Sequence, residues 1–223
     1  LMTPDHIQEK VGAIENSGSD FIVAKTANFQ GKELFPSYKY EIKDYGIKAS
    51  DFILMKIHWY TYDVLMKRKV AEKILWNERM QSWQDYNYFC KMLIETVNGS
   101  YLNKVLTHRR LHSDSIQKSL TANKAHFLGQ MLYNSVITFH ELENSIDGFT
   151  KRELIYDMMN ISFKLTGLQH FHFRNISQVV RIILRNRNFK SVLLFLSSLI
   201  TAFISEKGEY LLEKSKERSR LLQ

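Results

Sequence analysis

Asp20-Phe21-Ile22-Val23-Ala24 sets four apolar residues behind one acid, and a run that short and unbroken reads as a strand buried on both faces. Ahead of it, Ile7, Val11 and Ile14 recur at helical spacing. Thr3-Pro4 suits the start of that helix and Asn16-Ser17-Gly18-Ser19 its end. Behind the strand, residues 27–48 are aromatic and charged without a clear period, so they read as an excursion loop with room for a hairpin. Short helical pieces are expected at Asp51–Lys56, Tyr62–Arg68 and Ala71–Trp76. A longer helix is expected from Trp83-Gln84-Asp85, with Phe89, Met92, Leu93 and Thr96 on one face and Asn98-Gly99-Ser100 at its end. Lys104-Val105-Leu106-Thr107 is a second strand candidate, running into His108-Arg109-Arg110-Leu111-His112. Two strands alone are marginal in water. Their partners must therefore lie within 27–48 or ahead of residue 1.

Beyond Ser113 the pattern is helical throughout, with helices expected over 121–145, 150–166, 176–187 and 189–217. Asp147-Gly148 is the clearest break. Long helices fit a chain of 223 residues with only two prolines and nine glycines. There is no internal repeat and no low-complexity tract.

A hydrophobic share of 44% and a charged share of 24% are those of a globular protein and exclude a disordered chain. One cysteine, Cys90, excludes an internal disulfide and a cysteine-built zinc site, which fits a reducing cytoplasm. Leu1-Met2-Thr3-Pro4-Asp5 has no signal-peptide character. The Asn-x-Ser triplets at Asn98, Asn160 and Asn175 are therefore expected to be chance matches. The net charge of +8 is concentrated locally: Phe171–Lys190 holds Arg174, Arg181, Arg185, Arg187 and Lys190 and no acid. Such a stretch suits phosphates of a nucleotide, a lipid head group or a nucleic acid.

Three segments in one order carry a family likeness. The first is Pro4–Lys10 followed by Ser19-Asp20-Phe21-Ile22-Val23. The second is Val64-Leu65-Met66-Lys67-Arg68 with Trp76-Asn77-Glu78 and Trp83-Gln84-Asp85-Tyr86-Asn87-Tyr88-Phe89. The third is Arg110-Leu111-His112-Ser113-Asp114-Ser115-Ile116. Together they resemble the stretch after the metal-binding Asp-x-Asp, the acceptor-side signature and the closing Arg-x-His-x-x-Ser segment of the family-2 glycosyltransferases. The likeness covers about residues 1–120. It implies an α/β fold: a GT-A type domain without its N-terminal, nucleotide-binding half over 1–120, followed by a helical C-terminal region over 121–223. Gln84 replaces the first acid of the family's Glu-Asp pair, and Asp85 matches the second.

The resemblance implies an inverting transfer from a nucleotide-diphosphate sugar to a saccharide or lipid-linked saccharide acceptor, in bacterial surface polysaccharide assembly. A single displacement of that kind needs a general base and a way to hold the departing negative charge. Asp85, in the first turn of a helix, is favoured as an anion by the helix N-terminus and is expected to be the base. Read by itself, an acid at that position simply caps or charges the helix start. Arg110 can grip diphosphate oxygens in pairs. His112 reads equally as a ligand of a divalent metal (manganese or magnesium) and as a hydrogen-bonded structural histidine; the main Asp-x-Asp ligands would precede residue 1. Arg109 reads as a solvated partner of an acid. Trp59 and Trp76, with Gln84, are acceptor-side candidates, although buried aromatics more commonly fill cores. His170 and His172 lack a third ligand and read as surface histidines.

Two other classes compete. A nucleic-acid binder would use the Arg181–Lys190 stretch, but Val179, Val180, Ile182, Ile183 and Leu184 dilute it and no recognition motif is present. An inert helical scaffold with a basic patch would need no Asp85 chemistry. Ser191–Ser205 is uncharged over 15 residues, short of the roughly 20 that span a bilayer. As a core helix it needs no lipid. As an interfacial one it would set Phe195, Leu199 and Phe203 on an anionic, cytoplasmic membrane face.

Overall fold

The computed structural model describes residues 1–37, 46–111, 123–186, 189–205 and 208–217. The chain divides into two compact units, Leu1–Ser115 and Ile116–Gln223.

The first unit is mixed α/β. Helix α1 (His6–Ser17) ends where Gly18, at φ 69°, closes the last turn onto Ile14, a left-handed position that costs glycine little. Strand β1 (Phe21–Gln30) follows and forms the centre of a four-stranded sheet. Phe21, Ile22, Val23 and Ala24 are all buried, as a strand covered on both faces requires. Strand β2 (Glu33–Pro36) returns as a hairpin against Ala27–Gln30, and β3 (Val64–Met66) pairs antiparallel with Phe21–Val23. Strand β4 (Gly99–Arg110) runs parallel to β1 along Phe21–Phe29. Strands β2 and β3 therefore share one edge of β1 and β4 takes the other.

Between the strands lie α2 (Ala49–Ile53), a 3-10 turn (Thr61–Asp63), α3 (Arg68–Ala71) and α4 (Gln84–Glu95). The hairpin hidden in 27–48 is thus real, and β1, at ten residues, runs six residues beyond its apolar stretch Phe21–Ala24. The expected helix over Tyr62–Arg68 is corrected. Its centre is strand β3, because pairing with the buried end of β1 outweighs the helix preference of Leu65 and Met66. Asp20 ties the base of the sheet together: it accepts from Thr96 Oγ1 at 3.2 Å and meets Lys69 Nζ at 2.8 Å. The Lys69 partnership is the first cause holding its carboxyl below the usual range.

The second unit is helical over its described residues: α5 (Lys124–Leu142), α6 (Gly148–Gly167), α7 (Phe173–Asn186), α8 (Phe189–Ser205) and α9 (Glu209–Glu217). Asn123 and Asp147 cap α5 and α6, accepting from His126 N at 2.9 Å and Thr150 N at 2.8 Å. The single expected helix over 189–217 is two helices. Gly208 adopts φ 125°, and a Cβ there would stand 2.7 Å from the Ser198 carbonyl oxygen, so α9 folds back against α8. Ser215 Oγ donates to Ser191 O and Tyr156 Oη to Lys216 O, each at 2.7 Å. No described helix is long and apolar enough to cross a membrane.

Candidate active site

Parallel strands bring their carboxyl ends to one edge of a sheet, where crevices for ligands commonly form. At that edge Asn28 and Arg109 stand in register, followed by Phe29 and Arg110. Neighbouring residues of a strand face opposite sides. Arg109, half-buried, donates from Nε to Asn28 Oδ1 at 2.9 Å and lies over the Tyr60 ring, 4.7 Å from its centroid. Tyr60 stacks on Tyr62 at 5.2 Å and meets His58 edge-on at 6.1 Å.

The segment 58–63 is held from below by a buried network. Asp63, fully buried, accepts from Thr26 Oγ1 and, at 2.7 Å, from Tyr60 N. Lys10 reaches from α1 to Tyr62 O at 2.8 Å and to His6 Nε2 at 3.0 Å. Burial drives the Lys10 ammonium down to about 8, against the opposing pull of Asp63. Burial likewise pushes the Tyr62 phenol up.

Asp85 enters from α4. Trp83, immediately before the helix, holds a left-handed backbone at φ 61°, a strained state for a bulky side chain. The surroundings fix it. The Trp83 ring meets Tyr86 edge-on at 5.9 Å, and Tyr86 Oη donates to Ile53 O at 2.6 Å. Asp85, half-buried, accepts from Tyr86 N at 2.9 Å through Oδ1. His58 links this acid to the arginine: burial first and then Arg109 lower its pKa, while Asp85 raises it. Asp85, His58 and Arg109 thus share one electrostatic environment.

The other expected site residues fall as follows. Arg110 is on the opposite side of β4 from Arg109, exposed, with its guanidinium 5.9 Å from the Phe29 ring centroid. His108, on the Arg110 side, lines with Lys25, Ala27 and Phe35 a mainly apolar cavity of about 410 Å³. Arg109, read as a solvated partner of an acid, is instead half-buried, held by Asn28 and the Tyr60 ring. Register decides this, and β1–β4 carries two irregularities between Ala24 and Thr26 that no periodicity announces.

Trp59 is 3% exposed, wedged against Phe52 at 4.4 Å, so the acceptor-stacking role expected for it is corrected to a core role. Trp76 is 46% exposed with one face stacked on Tyr88 at 4.4 Å, which leaves ring surface open. The Gln84 amide donates to Met80 O, closing the turn before α4. His112 lies outside the described residues. Among the described residues no three His, Cys, Asp or Glu side chains converge to hold a metal. His58, Tyr60 and Asn28 were missed by sequence reasoning; the alternation His58-Trp59-Tyr60 was the available signal, since burying Trp59 turns its neighbours the other way. No protein-family model matches the chain, and no curated protein matches it.

Proposed function

We propose that this chain is the acceptor-side part of an inverting glycosyltransferase of the family-2 type, acting on a nucleotide-diphosphate sugar in surface polysaccharide assembly, with Asp85 as the general base. The observation that supports this most is the position of Asp85. It sits on the first turn of α4 behind a strained Trp83, in one environment with His58 and Arg109 near the carboxyl ends of a parallel strand pair. Strain of that kind, fixed by surrounding contacts, is typical of functional turns.

In the proposed step an acceptor hydroxyl oxygen attacks the anomeric carbon and its proton passes to Asp85. The bond from that carbon to the diphosphate breaks, and the nucleoside diphosphate leaves with the electron pair. Arg109 replaces Arg110 as the cation proposed to offset the departing charge. His58, its pKa lowered by burial and by Arg109, stays neutral at pH 7 and orients the acceptor by hydrogen bonding. The open face of Trp76 is the aromatic surface left for a sugar ring. A divalent metal belongs to the resemblance, which offers His112 as one ligand candidate.

The test is Asp85→Asn in the natural full-length protein, assayed for acceptor-dependent release of nucleoside diphosphate. General-base catalysis is worth about 10²–10⁴-fold, and a loss in that range with an unchanged melting temperature is expected. An undiminished rate would reduce Asp85 to a charge at a helix start.

A further inference from the structure

Helix α8 carries apolar residues all round, and only one face is used by its own unit. Ser191, Val192, Phe195, Ser198, Leu199 and Ala202 are buried. Phe189, Leu193, Leu196, Ile200, Phe203 and Ile204 are exposed, from 37% at Leu196 to 76% at Ile204. Their spacing of three and four residues makes one continuous stripe. The interfacial residues expected from sequence are corrected accordingly: Phe195 and Leu199 are core, and Phe203 alone of the three faces outward. Scattered exposed apolar residues are ordinary, but six on one stripe of one helix mark an interaction surface.

The charge of the sequence leading into and through α8 selects the partner. From Met158 to Ser205 the chain has no Asp or Glu and six basic residues. Arg174, Arg181, Arg185 and Lys190 are exposed, and among the described residues none of them has an ion-pair partner. On α7 the arginines lie outward while Ile176, Val179, Ile182 and Ile183 are buried. Lys190 then stands at the head of α8. A second copy of this chain would bring two basic faces together, and a nucleic acid has no use for an apolar stripe. An anionic lipid surface accepts both features, taking the stripe into the acyl boundary and the cations among the head groups.

We propose that α8 lies in the plane of an anionic membrane surface, inserted through Leu193, Leu196, Ile200 and Phe203, with the α7 arginines and Lys190 meeting lipid phosphates. At 17 residues the helix is about 25 Å long, short of the roughly 30 Å of a hydrocarbon core, so it lies on the bilayer rather than through it. The inference does not depend on the chemistry proposed above.

Sedimentation of the whole chain with phosphatidylcholine vesicles, with and without phosphatidylglycerol, tests it. Recovery with the anionic vesicles alone at low salt is expected, with release by ~1 M salt. The double variant Ile200→Glu/Phe203→Glu changes only exposed positions and should weaken binding by about tenfold or more, with circular dichroism and melting unchanged. Arg181→Gln/Arg185→Gln should weaken it on anionic vesicles specifically. Three results would each overturn the proposal: equal recovery on both vesicle types, binding untouched by the Ile200/Phe203 variant, or loss in that variant of a dimer seen without lipid.

Discussion

Arg109 donates from Nε to Asn28 Oδ1 at 2.9 Å across the parallel pair of β1 and β4, where the two residues are in register. Asn28 passes the link on, donating from Nδ2 to Pro36 O at 3.3 Å, so one polar chain joins β4, β1 and β2. Arg110, one residue further, shares none of these contacts.

Arg109→Ala should therefore destabilise the first unit by about 1–3 kcal/mol, the range for a charge-assisted hydrogen bond with a cation–π contact added. Arg110→Ala, at an exposed position, should stay within about 0.5 kcal/mol. Urea unfolding of the two variants checks the contrast, and equal losses would mean that the two side chains are not divided by the sheet as described.

A second expectation concerns pH. Lys10 falls from its ordinary 10.5 to about 8, so between those values the unfolded chain binds more protons than the folded one. Stability attributable to Lys10 then rises with pH across that window and is lowest below pH 8. Tyr62 and Cys90, both raised by burial, act in the opposite direction above their ordinary values. The useful quantity is the difference in unfolding free energy between the natural protein and Lys10→Met, which should move in favour of the natural protein from pH 8 to pH 10. A flat difference would mean Lys10 is not desolvated.

The close approach of β4 to β1 gives a third. Gly99 pairs with Phe21, and a Cβ at Gly99 would fall inside contact with the Phe21 ring and 2.8 Å from Ile47 Cδ1. Gly99→Ala should cost about 1–3 kcal/mol by overpacking, read as a lowered melting temperature. Gly12→Ala, with open space around its Cβ position, is the control and should not destabilise.

How far the sequence carried these features depends on the physics behind each. Phe21–Ala24 announced a buried strand because its apolar run needs no partner to be recognised. Lys25–Gln30 did not, since only the pairing with β2 and β4 makes that polar half extended. Val64–Met66 was read as helix for the same reason. The helix start at Asp85 was legible from its aromatic and acidic neighbours, but the left-handed Trp83 was not, because its strain is borne by Tyr86 and Ile53 from elsewhere in the fold. The choice between Arg109 and Arg110 turned on register, and a shift of one residue exchanges the faces of a strand. The break at Gly208 shows in the sequence only as one glycine in a helical pattern, and its left-handed φ of 125° comes from the packing of α9 against α8.

The claim on which the site rests is that Asp85 and Arg109 act on one histidine from opposite directions. His58 has its pKa lowered by burial and by Arg109 and raised by Asp85. A titration of the His58 ring by NMR in the natural protein, Arg109→Gln and Asp85→Asn tests this directly. The His58 pKa should rise in Arg109→Gln and fall in Asp85→Asn. Shifts of the same sign, or no shift in either variant, would contradict a shared site.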